Sequence, residues 1–162
     1  MPLAVRIDTV HPARKNARRG DVEAVARSLE RFGQRKPVVA REDGEIVAGN
    51  HTHAAAVTLG WDQLAVVFVK EDEAESKAYQ LADNRTSDLA RYDHGELASL
   101  MQEVIDADVA LLEAASFTES DLADLLDFLD PNSGPHGDTG DPEEGDVGST
   151  DSVVCPECGH IF

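Results

Sequence analysis

Asp43-Gly44-Glu45-Ile46-Val47-Ala48-Gly49-Asn50-His51-Thr52-His53-Ala54-Ala55-Ala56 decides how this chain is read. Asp-Gly is a strong two-residue hairpin signal, because both residue types tolerate the positive φ such a turn demands. Glu45-Ile46-Val47-Ala48 then makes a short buried strand, Gly49 a turn, and Asn50 the N-cap of an alanine-rich helix that Gly60 stops. A strand feeding straight into a helix start aims the N–H groups of the first turn into a cleft, which is a ready anion site. His51 and His53 are two apart, so on a helix they face different sides and cannot chelate one ion; spacing alone makes both surface histidines.

Outward from this stretch the elements follow from periodicity and punctuation. Residues 4–10 alternate as a first strand. A basic loop follows, with Arg14, Lys15, Arg18 and Arg19 around Asn16. Asp21 caps a helix to Phe32, with Val22, Val25, Ala26, Leu29 and Phe32 on one face and Arg27 and Arg31 on another, and Gly33 ends it. Pro37–Arg41 pairs across Asp43-Gly44 with Glu45–Ala48. The next helix turns Ala54, Ala55, Val57 and Leu59 inward. Leu64–Val69 is uninterrupted and apolar, the pattern of a central strand buried on both faces.

From there the chain is helical. Asp72 with Glu75 forms a capping box for a helix to about Asn84, and Asp93 with Glu96 another for a helix burying Leu97, Leu100, Met101, Val104 and Ile105. A last helix begins at Thr118 with Asp121 as capping partner and Phe117 stapled on Leu122. The expected architecture is α/β (α+β): a small mixed sheet with helices over residues 1–106, then an acidic helical extension over 107–130. Residues 131–152 are Pro, Gly, Ser, Asp and Glu with almost nothing apolar, so a disordered linker is expected, and residues 153–162 are a separate feature.

Charge divides the chain. Its 162 residues carry a formal −18, yet all 14 Lys and Arg lie between Arg6 and Arg91, matched by 14 of the 32 acidic residues in residues 1–91. Residues 1–41 hold ten basic against four acidic residues, and residues 92–162 hold 18 acidic residues and no Lys or Arg. Arg14, Lys15, Arg18, Arg19, Arg27 and Arg31 are candidate contacts to a DNA phosphate backbone, which they would grip without reading sequence. The acidic back reads as a solvated surface, or as a segment that repels nucleic acid or covers the basic face. No signal peptide is evident and no apolar run approaches the ~20 residues needed to span a membrane, so the cytoplasm is expected.

Cys155-Pro156-Glu157-Cys158-Gly159-His160 has the loop spacing of a zinc knuckle, with the two thiolates and His160 as metal candidates. It is half a site, to be completed by His136 or by the knuckle of a second subunit, which makes a homodimer through the tail the expected partner arrangement.

Three boxes in order resemble the ParB N-terminal, or ParB/sulfiredoxin-like, superfamily over about residues 4–106. They are Gly33-Gln34-Arg35-Lys36-Pro37-Val38-Val39, then Asp43-Gly44 through Gly49-Asn50-His51-Thr52 to Leu59-Gly60-Trp61, then Ala82-Asp83-Asn84-Arg85 with Leu89-Ala90 and Tyr92-Asp93. The last looks like the ParB-type domains of phages and of modules joined to DNA methyltransferases. The resemblance implies a cleft for phosphate-bearing groups: CTP controlling a clamp on DNA in partitioning members, a phosphoryl donor in a serine kinase, ATP in sulfiredoxins. It places the phosphate turn on Gly49, Asn50, His51 and Thr52, with Gln34, Arg35, Lys36, Asn84 and Arg85 nearby, and with Mg2+ accompanying the nucleotide. Asn50 stands where sulfiredoxins carry cysteine, which excludes their chemistry. Partitioning proteins place arginines where Thr52 and Ala54 stand, so backbone N–H groups and the nearby Arg35, Lys36 or Arg85 are expected to compensate.

The chain thus reads as a DNA-associated module whose CTP or ATP cleft regulates DNA binding. Two alternatives stand beside it. Enzymatic activity is open, as an NTPase, a phosphotransferase or a metal-dependent nuclease, with Asp83 and Glu45 the candidate catalytic carboxylates. The other alternative is a non-catalytic adaptor or DNA mimic built on the acidic helices and tail.

Overall fold

A computed structural model describes residues 3–131 of the chain. In order, the elements are β1 (Leu3–Arg6), a 3-10 turn (Ile7–Thr9), α1 (Val22–Phe32), β2 (Val38–Arg41), β3 (Ile46–Ala48) and α2 (Asn50–Thr58), then β4 (Gln63–Val69), α3 (Glu73–Asp88), α4 (His94–Ala107), α5 (Val109–Ala114) and α6 (Glu119–Leu129). The linker and the Cys155, Cys158, His160 tail lie outside the described residues.

The four strands form one mixed sheet in the order β1-β4-β2-β3. The apolar run over β4 is interior as expected, antiparallel to β1 and parallel to β2. Only its Leu64/Val66 face is buried, however; Ala65, Val67 and Phe68 are half-covered. The β2–β3 hairpin forms at the Asp-Gly signal, but as a three-residue loop over 42–44 instead of a two-residue turn. The Arg41 N–H donates to Glu45 C=O and the Gly44 N–H to Arg41 C=O, both at 2.9 Å, and of Asp43 and Gly44 only Gly44 has a positive φ, 90°. The first strand is shorter than alternation suggests. Past Arg6 the chain coils, and the Ile7 N–H donates to Asp62 C=O at 2.9 Å, just beyond the Arg6–Gln63 pair that ends the ladder.

The main core lies between this sheet and helices α1 and α2. Val38, Ala40, Ile46, Leu64 and Val66 meet Leu29, Ala55 and Ala56 there. The inward face of α2 differs from the expected one: His53, Ala55 and Ala56 are buried, while Val57 is 53% exposed. A second core gathers Ala98 and Met101 of α4, Leu112 of α5 and Leu122 of α6, with Phe117 packed beside it. The short α5 is an element that periodicity does not predict. Asp108 ends α4 and its carboxylate accepts the Ala110 N–H at 3.0 Å, so one residue closes one helix and starts the next. Its other oxygen pairs with Arg31 of α1 at 3.1 Å.

Gln34 closes a gap in the sheet. β2 begins at Val38, opposite Val66, which leaves Ala65 of β4 without a strand neighbour on that side. The Gln34 amide takes the place of a peptide there: its Nε2 donates to Ala65 C=O at 2.9 Å and its Oε1 accepts the Ala65 N–H at 2.7 Å. Replacing Gln34 with Ala strips both partners from a part-buried peptide. Stability in urea should fall by about 1–3 kcal/mol, with the urea slope unchanged. A loss too small to measure would show that the bracket carries no weight.

Candidate functional site

The tight turn between β3 and α2 sets the site. Gly49 occupies the N-cap at φ 96°, a left-handed conformation that glycine adopts freely, and no side chain caps the helix. A Cβ at this position would also sit 3.1 Å from Val38 Cγ2. Asn50 is therefore the first helical residue rather than the cap. Its Oδ1 accepts the Ala13 N–H at 2.9 Å, and His51 Nε2 accepts the Gly20 N–H at 3.0 Å. Both side chains reach out to fasten the basic loop across the helix start, and the first-turn N–H groups of α2 are left to the cleft.

That cleft has a volume of about 210 Å3. One wall is Gly49, Asn50, His51 and Thr52, a second is Asn16 and Arg18, and the third is Gln80, Asp83, Asn84 and Ser87 of α3. Arg18 spans it. Its guanidinium pairs with Asp88 at 2.9 Å and donates to the Asn84 carbonyl and side-chain oxygens at 3.3 and 3.4 Å. Asn84 is held in turn by donating Nδ2 to Gln80 C=O at 2.9 Å. The cleft thus sets one guanidinium, the amides of Asn16, Asn50, Gln80 and Asn84, and a helix N-terminus around a space that also contains one carboxylate, Asp83.

The remaining sequence candidates distribute over three places. Thr52 lines the cleft, whereas Gln34 is engaged with Ala65, and Arg35 and Lys36 border a different groove beside α1. Arg85 is exposed on α3 and Asn84 alone of that pair lines the cleft. Glu45 and Asp83 do not converge. Glu45 lies in a neighbouring cleft of about 520 Å3, which meets the first at Val47 and Gln80. There it accepts the Arg14 N–H at 3.0 Å and pairs with Arg41 at 3.4 Å. Arg41 also binds Asp43 and holds its carboxyl below the usual range, as Lys77 does for Glu73. Among the described residues, no three His, Cys, Asp or Glu side chains gather where they could hold a metal ion.

The basic front also divides. Arg14, Lys15, Arg19 and Arg27 are exposed and form no ion pair among the described residues, while Arg18 and Arg31 are paired with Asp88 and Asp108. Arg18, Asn16, Gln80 and Ser87 are cleft residues that sequence reading does not place there. Only the α3 set carries a signal, because Gln80, Asp83, Asn84 and Ser87 follow the i, i+3, i+4, i+7 spacing of one helix face. His53, expected at the surface, is 8% exposed.

No family model matches the chain. It is 28% identical over 133 residues to a nucleoid occlusion protein of Oceanobacillus iheyensis, a match covering 76% of this chain and 43% of that protein. Its structure aligns at TM-score 0.67 and 16% identity with the C-terminally truncated chromosome-partitioning protein ParB from Caulobacter crescentus in complex with CTP-γ-S, over 80% of this chain and 78% of that one. Sulfiredoxin from Arabidopsis thaliana aligns over 50% of this chain and 97% of its own at 21% identity, with a TM-score of 0.41. The small mixed four-stranded sheet with its helices is the fold of that ParB.

Proposed function

We propose that the chain is a ParB-like, DNA-associated module whose α2–α3 cleft binds a nucleoside triphosphate, CTP or ATP, and that occupancy regulates its grip on DNA. The observation carrying this reading is the meeting of Arg18, Asn84 and the uncapped first turn of α2 around one cleft. Helix N–H groups and a guanidinium are the two best phosphate ligands a protein can offer. Arg18 supplies the charge that Thr52 and Ala54 cannot, from a loop instead of from the helix. The Asp83 carboxylate would repel bare phosphate, and it fits a Mg2+ carried in with the nucleotide, an ion that takes one or two carboxylates and keeps phosphates and water as its other ligands. Support comes also from the fold shared with a ParB captured with a CTP analogue.

Coupling to DNA runs through one loop. Residues 12–20 carry Arg18 into the cleft and hold Arg14, Lys15 and Arg19 at the surface, with Arg27 beyond on α1. A triphosphate competes with Asp88 for the Arg18 guanidinium. Whatever this does to the loop changes how the exposed cations meet a phosphate backbone. The similarity to a nucleoid occlusion protein supports a role on DNA. The nuclease reading has no such support, since Glu45 and Asp83 line separate clefts.

Calorimetric titration with CTP, ATP and GTP in Mg2+, with and without duplex DNA, tests the cleft. One nucleotide should bind at one per chain, and Arg18→Ala or Asn84→Ala should weaken it about tenfold or more, equivalent to about 1.4 kcal/mol. No heat with any nucleotide in either condition would leave the fold without this function. The DNA face is tested separately by the salt dependence of affinity for a short duplex. Replacing Arg14, Lys15, Arg19 and Arg27 with Ala should flatten the plot of log K against log salt by about 0.9 for each phosphate that is no longer neutralised. An unaltered slope would remove this face from DNA binding.

A further inference from the structure

A groove of about 520 Å3 runs along α1 from Ala24 to Phe32 and on to residues 33–36, with Thr52 and Ser116 also lining it. Its floor is apolar, built from Val25, Leu29 and Phe32, and its rim carries the exposed cations Arg35 and Lys36, which form no ion pair among the described residues. We propose that this groove receives helix α6 of a second copy, so that chains associate head to tail.

The helix has the complementary surface. Its apolar stripe begins in the core at Leu122 and Leu125 and continues past its partners, leaving Leu126 50% and Leu129 42% exposed. Glu119 and Ala123 stand seven and three residues before Leu126, on the same side of the helix. A plug of small and aliphatic side chains with an acidic flank therefore faces a socket of aliphatic and aromatic side chains with a basic rim. The wider charge distribution favours the same orientation: residues 1–41 carry ten basic against four acidic groups, and residues 92–162 carry 18 acidic groups and no Lys or Arg. Opposite charges steer the acidic α6 of one copy toward the basic rim of the groove on another. In that head-to-tail arrangement each copy gives its plug to one neighbour and its socket to another, which leaves an open plug at one end and an open socket at the other and builds strings. A mass that levels off at two chains would instead mark a reciprocal twofold exchange and overturn this arrangement.

Sedimentation velocity of the full chain across a wide concentration range is the test, run at about 0.1 M and about 1 M salt, where the Debye length falls from about 10 Å to about 3 Å. At the lower salt the mass should climb past twice 17.5 kDa without a plateau, and at the higher it should drop. Leu126→Glu with Leu129→Glu removes the plug, and Arg35→Glu with Lys36→Glu reverses the socket rim. Each double variant should be monomeric alone. Mixed, they should form a species of two chains and nothing larger, because one supplies an intact socket and the other an intact plug. Ser28→Trp, which fills the groove without altering charge, should match the rim variant, and unchanged circular dichroism and urea midpoints certify that each variant folds. A wild-type chain monomeric throughout at the lower salt overturns the proposal and leaves the groove to an acidic segment of another protein. So does either double variant that still forms strings alone, or a mixture that stays monomeric.

Discussion

Two hydrogen bonds fasten the loop at residues 12–20 to the first turn of α2, and the site exists because of them. Ala13 and Gly20 donate their N–H groups to Asn50 and His51, thirty-odd residues further along the chain. The approach at Gly20 is close enough that a Cβ there would lie 3.0 Å from the His51 ring. By holding the loop, Asn50 and His51 do not fold back as caps, and the helix start that lines the cleft keeps its first-turn N–H groups free of a side-chain cap. The same fastening carries Arg18 to α3. Loop position, helix polarity and the place of the cleft's one guanidinium are therefore one arrangement, and it rests on Gly49 holding a left-handed turn against Val38.

Electrostatics then sorts cations that look equivalent in the sequence. Arg18 and Arg31 are partly neutralised by Asp88 and Asp108, acidic residues from α3 and from the cap of α5. Arg41 is enclosed by Asp43 and Glu45. These pairs are at least partly solvated, so each contributes little to stability. Their effect is on availability: a guanidinium already bonded to a carboxylate offers less to a phosphate than an exposed one, and Arg14, Lys15, Arg19 and Arg27, like Arg35 and Lys36, are exposed with no ion pair among the described residues.

What the sequence discloses depends on how local each determinant is. The hairpin at Asp43-Gly44, the caps at Asp21, Asp72 and Thr118, and the stops at Gly33 and Gly60 are written in a few adjacent residues and stand where expected. Asn50 looks like a cap because cap preference is local, but Ala13 claims its oxygen from 37 residues away. The inward face of α2 is not legible, since Ala54, Ala55 and Ala56 give no contrast by which to orient a helix, and it is His53 that joins Ala55 and Ala56 inside. Alternation over residues 4–10 continues past the point where β4 can pair with it. The six-residue α5 lacks any Gly or Pro to announce the break before it. Arg18 belongs by composition to a basic run, and only the fold reveals Asn84 and Asp88 waiting opposite.

The α3 wall of the cleft is held differently from the other two. Of its sixteen residues only Ser76 is buried, and Tyr79 and Leu81 are exposed. A helix with so little apolar burial draws its order from its own chain: the Asp72–Glu75 capping box, the Glu73–Lys77 pair, and hydroxyls of Thr86 and Ser87 bonded back to Ala82 and Asp83. These bonds keep α3 helical without fixing where it lies. Its placement rests on its packing against β3 and on Arg18 gripping Asn84 and Asp88 near its C-terminal end. Segments with few buried contacts open at low free energy. An anion that draws Arg18 away from Asp88 therefore works on the least anchored wall of the cleft, at the end where packing resists it least.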